Sequence, residues 1–281
     1  MRPPRRKIDW ATMSKLPLVS VLFVTYKRIE LLRDTLHSFL NNTAYPNLEL
    51  VVTDDGSGPE IQEQIRKLPF QVFVLSKENR GLGANINAGL RACSGKYVLL
   101  LQDDWHCEGP SDYLLNSVSV CENNADVGLI NFYGMPHKFD SANALPGSNE
   151  PCHKITEQFW DGKQTWNIYT DTPHVMTMKY FQRVGPYRES SFTEDCEMDY
   201  EARFAAQKQF SAALFPSYYN RLFRHTGEAH SFRTIRFRYR VEKLLLPYGI
   251  FLKSRCRPLY TAGKFILRRS VKLLESSGIV R

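Results

Sequence analysis

Two adjacent aspartates, Asp103 and Asp104, close the stretch V-L-L-L-Q-D-D and have the chemistry of a binding site. A carboxylate pair after a buried strand offers the oxygen ligands that Mg²⁺ or Mn²⁺ favours, often with phosphate oxygens completing the coordination shell. The same residues also suit a structural role, in which an aspartate caps the segment that follows. The stretch therefore predicts either a cation site or a capped turn.

A second acidic turn, D-D-G-S from Asp54 to Ser57, follows another aliphatic run. It is a good turn sequence, because aspartate accepts local backbone hydrogen bonds and glycine allows a positive φ. A carboxylate here could instead accept a hydrogen bond from the N–H of a nucleotide base. Two acidic turns at neighbouring strand ends would repel one another unless a cation or hydrogen-bond donors compensate, which favours the cation site.

Strands that alternate with helices would position these acids. Apolar β-rich runs predict the strands, and apolar residues at helical spacing predict the helices between them. The predicted strands are 18–25, 48–53, 70–75, 96–101 and 127–133, and the predicted helices are 29–40, 61–68, 84–92 and 192–207. This alternation implies an α/β fold with a mainly parallel central sheet, whose ligands bind at the carboxyl ends of the strands. Four polar clusters fall at such ends: Thr25, Asp54–Asp55, 76–81 and Gln102–Asp104.

The glycine-rich segment N-R-G-L-G-A-N-I-N-A-G, residues 79–89, follows the third predicted strand. It is not a Walker A motif, because no G-K-[ST] follows, and it stands too late in the chain for a dinucleotide-binding fingerprint. Gly83 and Gly89 are expected to allow close packing, while Arg80 and Asn85 are expected to face the ligand edge.

Composition excludes several classes of protein. A chain of 281 residues that is 43% hydrophobic can bury a sizeable core and is not compositionally disordered. No apolar run is long enough for a transmembrane helix, and the basic first residues lack the apolar run of a secretory signal. The six cysteines are scattered without a C-x-x-C pair, which argues against a structural zinc site and a disulfide scaffold.

The net charge of +8 is concentrated near the C-terminus, where 15 basic and 3 acidic residues lie between Arg221 and Arg281. Such asymmetry indicates an anionic partner, either a membrane surface or nucleic acid. Residues 259–274 place apolar side chains on one helical face and basic ones opposite. This pattern is typical of an interfacial helix and equally of a terminal helix packed on its domain. Residues 234–241 alternate with period two and could form an edge strand instead.

Four motifs, in order and at suitable spacing, resemble the inverting glycosyltransferases of family 2. They are V-S-V-L-F-V-T-Y-K-R, Y-P-N-L-E-L-V-V-T-D-D-G-S, N-R-G-L-G-A-N-I-N-A-G and S-G-K-Y-V-L-L-L-Q-D-D. The resemblance implies the Rossmann-like glycosyltransferase A fold and metal-dependent transfer of a sugar, with inversion, from a nucleotide-diphosphate sugar to an acceptor hydroxyl in glycan or polysaccharide synthesis. The implied cofactor is Mn²⁺ or Mg²⁺. A catalytically impaired nucleotide-sugar-binding protein of the same fold is the alternative.

Carried over by position, the resemblance implies a set of nucleotide-sugar-binding residues: Thr25, Tyr26, Asp54, Asp55, Arg80, Asn85, Gln102, Asp103 and Asp104. Asp104 matches the last acid of the family's D-x-D motif, which usually reaches the metal and the diphosphate. Gln102 stands where the first acid is usual and often meets the ribose, so its amide could keep that hydrogen bond without the charge. Alternatively, Asp103–Asp104 is the true pair, displaced by one residue.

The catalytic part of the resemblance lies in T-E-D-C-E-M-D-Y-E-A-R-F, which matches an acidic motif that opens a helix below the acceptor site. Inversion in one step needs a base that takes the proton of the acceptor hydroxyl. Asp195 is the implied base because E-D matches best, and Glu197 is the alternative because alignment from Arg203 shifts the register by two. Asp199 and Glu201 are expected only to favour the helix macrodipole.

The polar stretch H-T-G-E-A-H-S matches a family loop in which a histidine completes the metal shell. His225, followed by T-G, fits that position, and His230 is the second candidate. The resemblance therefore implies Asp104 and His225 as the metal ligands.

The expected organisation is a basic leader at 1–17, a catalytic domain at 18–232 and a basic helical extension at 233–281. The catalytic domain divides into a nucleotide-sugar-binding half, 18–110, and an acceptor-binding half, 111–232. The expected donor is a UDP-, GDP- or dTDP-sugar, and the acceptor is a glycan, a lipid-linked molecule or a protein. The expected location is cytoplasmic, with the basic C-terminus as a candidate contact to the cytoplasmic membrane face. Nucleic acid is not the expected partner, since only the basic tail supports it.

Overall fold

A computed structural model describes residues 16–227 except 135–137, 140, 158, 161–164, 167–168, 170 and 191–192. The chain divides into two compact units at Thr226, and every described residue except Gly227 belongs to the first. Most of the predicted leader, all of the extension at 233–281 and His230 lie outside the described residues. No helix among the described residues is long and apolar enough to cross a membrane.

The strands form one large sheet and two small ones. In chain order they are β1 (Val19–Thr25), β2 (Leu48–Asp54), β3 (Val72–Leu75), β4 (Tyr97–Gln102), β5 (Trp105–Cys107), β6 (Val127–Asn131), β7 (Lys138–Phe139), β8 (His153–Glu157), β9 (Phe159–Trp160), β10 (Thr165–Trp166), β11 (His174–Thr177), β12 (Ser211–Leu214) and β13 (Phe223–His225). The described helices are α1 (Ile29–Asn42), α2 (Pro59–Arg66), α3 (Leu82–Ala92), α4 (Tyr113–Asn123), α5 (Met178–Val184) and α6 (Thr193–Ala206).

A nine-stranded sheet in the order β3-β2-β1-β4-β11-β6-β12-β8-β7 forms the centre of the first unit. The four strands β3, β2, β1 and β4 are parallel, whereas β11 runs antiparallel to both β4 and β6. Helices between the parallel strands bring their carboxyl ends to one edge of the sheet. The predicted α/β fold is confirmed, and the antiparallel contacts are confined to the second half of the sheet.

Strand β1 is buried along its whole length because both faces of the sheet are covered. Val21 and Phe23 belong to the core on one face, and Leu22 belongs to the core on the other. Helix α3 lies very close to β1, since a Cβ added at Gly89 would stand 2.4 Å from Leu22 Cδ1. At Gly83 an added Cβ would stand 2.2 Å from a backbone oxygen. The predicted close packing at both glycines is confirmed.

The second half contains elements that the sequence pattern did not predict. Helices α4 and α5 and strands β11 and β12 were not expected, and neither were the short strands β7 to β10, which lie between residues 138 and 166. Strands β5 and β13 form a separate two-stranded antiparallel sheet. This small sheet matters for the candidate site, because it brings the residues around His225 to the end of β4.

Candidate active site

Asp103 joins the carboxyl ends of β1 and β4. The hydroxyl of Thr25 donates to Asp103 Oδ2 at 2.6 Å, and the backbone N–H of Tyr26 donates to the same oxygen at 3.4 Å. The hydroxyl of Thr35 donates to the Asp103 backbone oxygen at 2.8 Å. Asp103 is only 4% exposed, and burial raises the pKa of its carboxyl to about 6 against the opposing effects of Arg28 and Thr25.

Asp104 lies between a guanidinium and an imidazole. Arg28 Nη1 is 2.7 Å from Asp104 Oδ2 and 3.3 Å from Asp103 Oδ1, and His225 Nε2 is 3.4 Å from Asp104 Oδ2. Burial alone would raise the pKa of Asp104, but the hydrogen bond with His225 and the charge of Arg28 outweigh it, so the pKa lies below the usual range. Asp104 is therefore a carboxylate at neutral pH.

The segment around His225 is fixed directly on Asp104. His225 pairs with Trp105 between β13 and β5, and the two rings lie 4.8 Å apart between centroids. The backbone N–H and the hydroxyl of Thr226 both donate to the Asp104 backbone oxygen, at 2.8 and 3.0 Å. The structure thus brings together the two residues implied as metal ligands, although they are more than a hundred positions apart in the chain.

Asp104 Oδ2 and His225 Nε2 fit a small divalent cation. Ligand atoms bound at about 2.1 Å in octahedral geometry lie about 3 Å apart, close to the observed separation. Among the described residues, no group of three His, Cys, Asp or Glu side chains could hold a metal ion. The described part of the chain therefore supplies a partial shell, which phosphate oxygens or water would have to complete.

Asp55 lies at the carboxyl end of β2, facing the start of α3. Its Oδ1 accepts the backbone N–H of Arg80 at 2.8 Å, and its Oδ2 accepts that of Gly81 at 2.9 Å. Burial raises the pKa of Asp55 in spite of these two donors. Because each carboxylate oxygen has a second lone pair, Asp55 can still accept a hydrogen bond from a ligand.

Asp54 stabilises the turn that follows β2, through hydrogen bonds within that turn and to helix α2. It is fully buried, and its Oδ2 accepts the backbone N–H of Ser57 at 2.9 Å and the side-chain amide of Gln62 at 2.8 Å. The hydroxyl of Ser57 also donates to Asp54 Oδ1. The turn interpretation of D-D-G-S therefore describes Asp54, and the binding interpretation remains for Asp55.

Arg80 and Asn85 stand in different environments. Arg80 Nη2 pairs with Glu189 Oε2 at 2.6 Å, and both side chains are largely exposed, so Arg80 can turn to a ligand. Asn85 is buried: its Oδ1 accepts from Thr53 Oγ1 at 2.6 Å, and its Nδ2 donates to the Thr25 backbone oxygen at 3.1 Å. Asn85 therefore ties α3 to β1 and β2, and it acts on a ligand only through Thr25.

Gln102 points neither into the core nor away from the protein. Its half-buried amide Nε2 donates to Asp171 Oδ2 at 2.6 Å and to the Asp171 backbone oxygen at 3.2 Å. Asp171 belongs to the turn that precedes β11. A carboxylate from a distant segment thus stands beside the amide that replaces the first acid of the motif.

The acidic helix α6 begins at Thr193, as the pattern predicted, to within a residue. Asp195 lies in its first turn, and its side chain is outside the described residues, whereas Glu197 is half-buried. The expected macrodipole role of Glu201 is wrong, because Glu201 is buried in the middle of the helix and accepts the backbone N–H of Tyr169 at 2.8 Å. Asp199 forms an ion pair with Arg203 one turn later.

Two contributors to the site escaped the sequence analysis. Arg28 follows β1 directly in the motif T-Y-K-R, and its position at an edge that collects acids was a usable signal. Asp171 gave no signal, because it lies in an irregular polar segment 69 residues beyond Gln102. Its proximity follows only from the antiparallel pairing of β11 with β4.

Comparison with known proteins agrees with this geometry. The family described as Glycosyl transferase family 2 matches residues 20–172. The putative glycosyltransferase EpsH of Bacillus subtilis is 28% identical over 162 residues, which cover 54% of this chain and 46% of EpsH. Chondroitin synthase of Escherichia coli is 33% identical over 209 residues, which cover 66% of this chain and 29% of the synthase. The chain thus matches less than half the length of either relative.

Among solved structures, the mannosyltransferase PcManGT from Pyrobaculum calidifontis, in complex with GDP-Man and Mn²⁺, superposes with a TM-score of 0.55. The two chains are 18% identical, and the match covers 84% of this chain and 64% of PcManGT. This likeness confirms the glycosyltransferase A fold. Because the family match spans more than half of the chain and includes all four motifs at the sheet edge, the chain belongs to glycosyltransferase family 2.

Proposed function

We propose that this chain transfers a sugar from a nucleotide-diphosphate sugar to an acceptor hydroxyl, with inversion at the anomeric carbon, in glycan or polysaccharide synthesis. The observation that carries the proposal is the convergence of Asp55, Asp104 and His225 on one sheet edge of a family 2 chain. Similarity to a chondroitin synthase and to a mannosyltransferase solved with GDP-Man supports a nucleotide-sugar donor and a glycan product.

The nucleotide would bind over the ends of β1 and β2. Asp55 accepts a base or ribose donor with its remaining lone pairs, while Thr25 and Tyr26 line the same pocket. Arg80 exchanges Glu189 for the nucleotide, since its ion pair is exposed and therefore weak. Asn85 and Asp54 hold this pocket in shape from below, through their buried hydrogen bonds.

Asp104 and His225 would hold Mn²⁺ or Mg²⁺, as the spacing of their donor atoms allows. A divalent cation bound there supplies positive charge that stabilises the departing nucleoside diphosphate. The presence of Mn²⁺ in PcManGT supports this cofactor. Asp103, tied to Thr25, keeps the end of β4 against β1 and so fixes the direction of Asp104.

The acceptor would be activated from α6. An added Cβ at Gly83 would stand 3.1 Å from Cys196 Sγ, so the first turns of α6 lie directly against α3, the helix whose start is bound by Asp55. Asp195, next to Cys196 in that turn, takes the proton of the attacking hydroxyl. Glu197 is the alternative base, and general-base catalysis of this kind contributes a factor of roughly 10²–10⁴ to the rate.

The test is a screen of UDP-, GDP- and dTDP-sugars with Mn²⁺, read both as a shift in unfolding temperature and as turnover. An enzyme is expected to be stabilised by one nucleotide class and to release the matching nucleoside diphosphate when an acceptor is added. Stabilisation without turnover over a broad set of acceptors would instead support a nucleotide-sugar-binding protein that has lost catalysis. Absence of both stabilisation and turnover would contradict the proposal.

The basic C-terminal segment, 233–281, is proposed to contact an anionic membrane surface on the cytoplasmic side. Its excess of Lys and Arg is the support for this assignment. Attachment there would bring the enzyme to a lipid-linked acceptor.

A further inference from the structure

Arg28 holds both acids of the motif through a single nitrogen. Its Nη1 lies 2.7 Å from Asp104 Oδ2 and 3.3 Å from Asp103 Oδ1, and the arginine side chain is 28% exposed. Among the described residues, hydrogen bonds of this guanidinium involve Nη1 alone. Nε and Nη2 therefore remain available to oxygen atoms of a ligand, in the planar geometry that suits phosphate.

The backbone is shaped to put Arg28 in this place. Lys27, the preceding residue, has φ 58°, a left-handed conformation that is unusual for a residue other than glycine. The hydroxyl of Ser57 accepts the Lys27 backbone N–H at 2.7 Å and supports this conformation. Arg28 is thereby turned back over the end of β4, immediately before α1 begins, rather than continuing outward along β1. Strain of this kind is kept where the surrounding structure requires it.

The position of Arg28 conflicts with a bound cation. A divalent cation held between Asp104 Oδ2 and His225 would share that oxygen with Arg28 Nη1, which contacts it at 2.7 Å, and two positive charges on one carboxylate oxygen repel strongly. Yet removal of the guanidinium would leave two buried carboxylates side by side with no compensating positive charge from Arg28. The acidic pair therefore needs Arg28 before the cation binds, and needs it displaced afterwards.

We propose that Arg28 is an exchangeable counter-cation and a positioning residue: it neutralises Asp103 and Asp104 before a divalent cation binds, and it moves onto the diphosphate of the donor when the cation takes Asp104. The inference rests on the proposed function, because it assumes a cation at Asp104 and a nucleoside diphosphate beside it. It adds that cation entry and diphosphate binding are coupled through one side chain.

The experiment compares the full-length wild type with Arg28→Met, which keeps the length of the side chain but removes its charge, and with Arg28→Lys, which keeps the charge. Binding of Mn²⁺ without nucleotide is followed by electron paramagnetic resonance of free Mn²⁺. Arg28→Met is expected to bind Mn²⁺ about tenfold more tightly than the wild type, and Arg28→Lys about as weakly as the wild type. At saturating Mn²⁺, the affinity of Arg28→Met for UDP or GDP, whichever stabilises the wild type, is expected to fall about tenfold.

Arg33→Met is the matched control, since Arg33 lies on α1 and its ion pair with Glu30 is exposed. Arg33→Met should change neither the affinity for Mn²⁺ nor the affinity for the nucleoside diphosphate. Arg28→Gln, whose amide can still donate to Asp104, replaces Arg28→Met in both measurements if that variant does not fold.

The outcomes separate the inference from the proposed function. In one outcome, the wild type binds Mn²⁺ in the presence of nucleotide, while the neutral Arg28 variants, measured without nucleotide, bind Mn²⁺ no more tightly than the wild type. That result would overturn the proposed exchange of Arg28 for the cation and leave the proposed function standing. Unchanged affinity of those variants for the nucleoside diphosphate would likewise overturn it. If no variant binds Mn²⁺ under any condition, the metal-dependent function fails and the inference fails with it.

Discussion

Gln102 Nε2 lies 2.6 Å from Asp171 Oδ2, so the end of β4 is hydrogen-bonded to the turn before β11. The amide stands where the family's motif usually has its first acid, and the carboxylate beside it comes from a different segment. An acidic group is thus present at this point of the edge although residue 102 is neutral. Loss of the acid from position 102 is therefore not by itself a sign of lost catalysis.

Restoring the usual acid at residue 102 should harm this protein. Gln102→Asp would remove the amide donor and place a carboxylate near Asp171, and like charges at such a distance destabilise each other. We expect a loss of about 1–3 kcal/mol in the free energy of unfolding and a lower kcat/KM. Chemical denaturation and steady-state kinetics measure both effects.

The double variant Gln102→Asp/Asp171→Asn is the control, because it exchanges acid and amide between the two positions. It should regain most of the lost stability. A single Gln102→Asp variant that is as stable and active as the wild type would show that the contact with Asp171 contributes neither to stability nor to activity.

Removal of the charge of Asp104 should weaken the binding of the cation. Asp104→Asn is expected to weaken Mn²⁺ binding in the presence of nucleotide and to lower kcat/KM by about 10²-fold or more, because a proposed metal ligand becomes neutral. His225→Ala should act in the same direction with a smaller effect. Titration of activity with Mn²⁺ separates loss of metal affinity from loss of turnover.

Glu108→Gln is the matched control for these variants. Glu108 follows β5 and pairs with Arg224 of β13 at 2.6 Å, in an exposed ion pair on the same small sheet. Its loss should cost little. An equal effect of Glu108→Gln and Asp104→Asn would point to disruption of the β5–β13 sheet rather than to a ligand.

The base can be assigned by comparison of two helix positions. Asp195→Asn should lower kcat by roughly 10²–10⁴-fold while the thermal shift caused by the nucleotide-sugar is kept, because a general base acts on the acceptor and not on the donor. Glu197→Gln should have a small effect on kcat. The reverse result would move the base to Glu197, and full activity of both variants would contradict a base on this turn.

Close packing of α3 on β1 gives a prediction for stability. In Gly89→Ala the new methyl group would meet Leu22 Cδ1 at 2.4 Å, so either the helix or the side chain must shift. Overpacking of this kind costs about 1–3 kcal/mol in the free energy of unfolding. Ala88→Ser, at a half-buried position of the same helix, should cost less. In the double variant Gly89→Ala/Leu22→Ala, the loss of stability should be smaller than the sum of the two single losses.

Membrane attachment can be tested with vesicles. Full-length protein is expected to cosediment with vesicles of phosphatidylcholine and phosphatidylglycerol, whereas a chain ending at residue 232 should remain in solution. High salt distinguishes electrostatic attachment from insertion of an apolar helix face, since salt screens charge but does not prevent burial of apolar side chains. Equal sedimentation of both chains would contradict a role for the basic extension.

The first half of the fold, 18–110, could be predicted because its central strands β1 and β4 are almost entirely buried. The run predicted as 18–25 is observed as Val19–Thr25, and its short length and β-branched residues favour a buried strand over a buried helix. The elements β5 and β13 could not be found in this way, because each has only three residues and they pair across more than a hundred positions of sequence. The position of His225 could therefore be predicted only from the family resemblance. The position of Asp171 could be predicted neither from the resemblance nor from the sequence pattern.

The pairing of β13 with β5 has a consequence for the order of synthesis. The acids that directly follow β2 and β4 have been translated once Asp104 has left the ribosome, but Thr226, which holds the Asp104 backbone, is made 122 residues later. Contacts of Asp104 with His225 and Thr226 can therefore form only late in synthesis. The proposed cation site is thus complete only when nearly all of the first compact unit, which ends at Thr226, has been made.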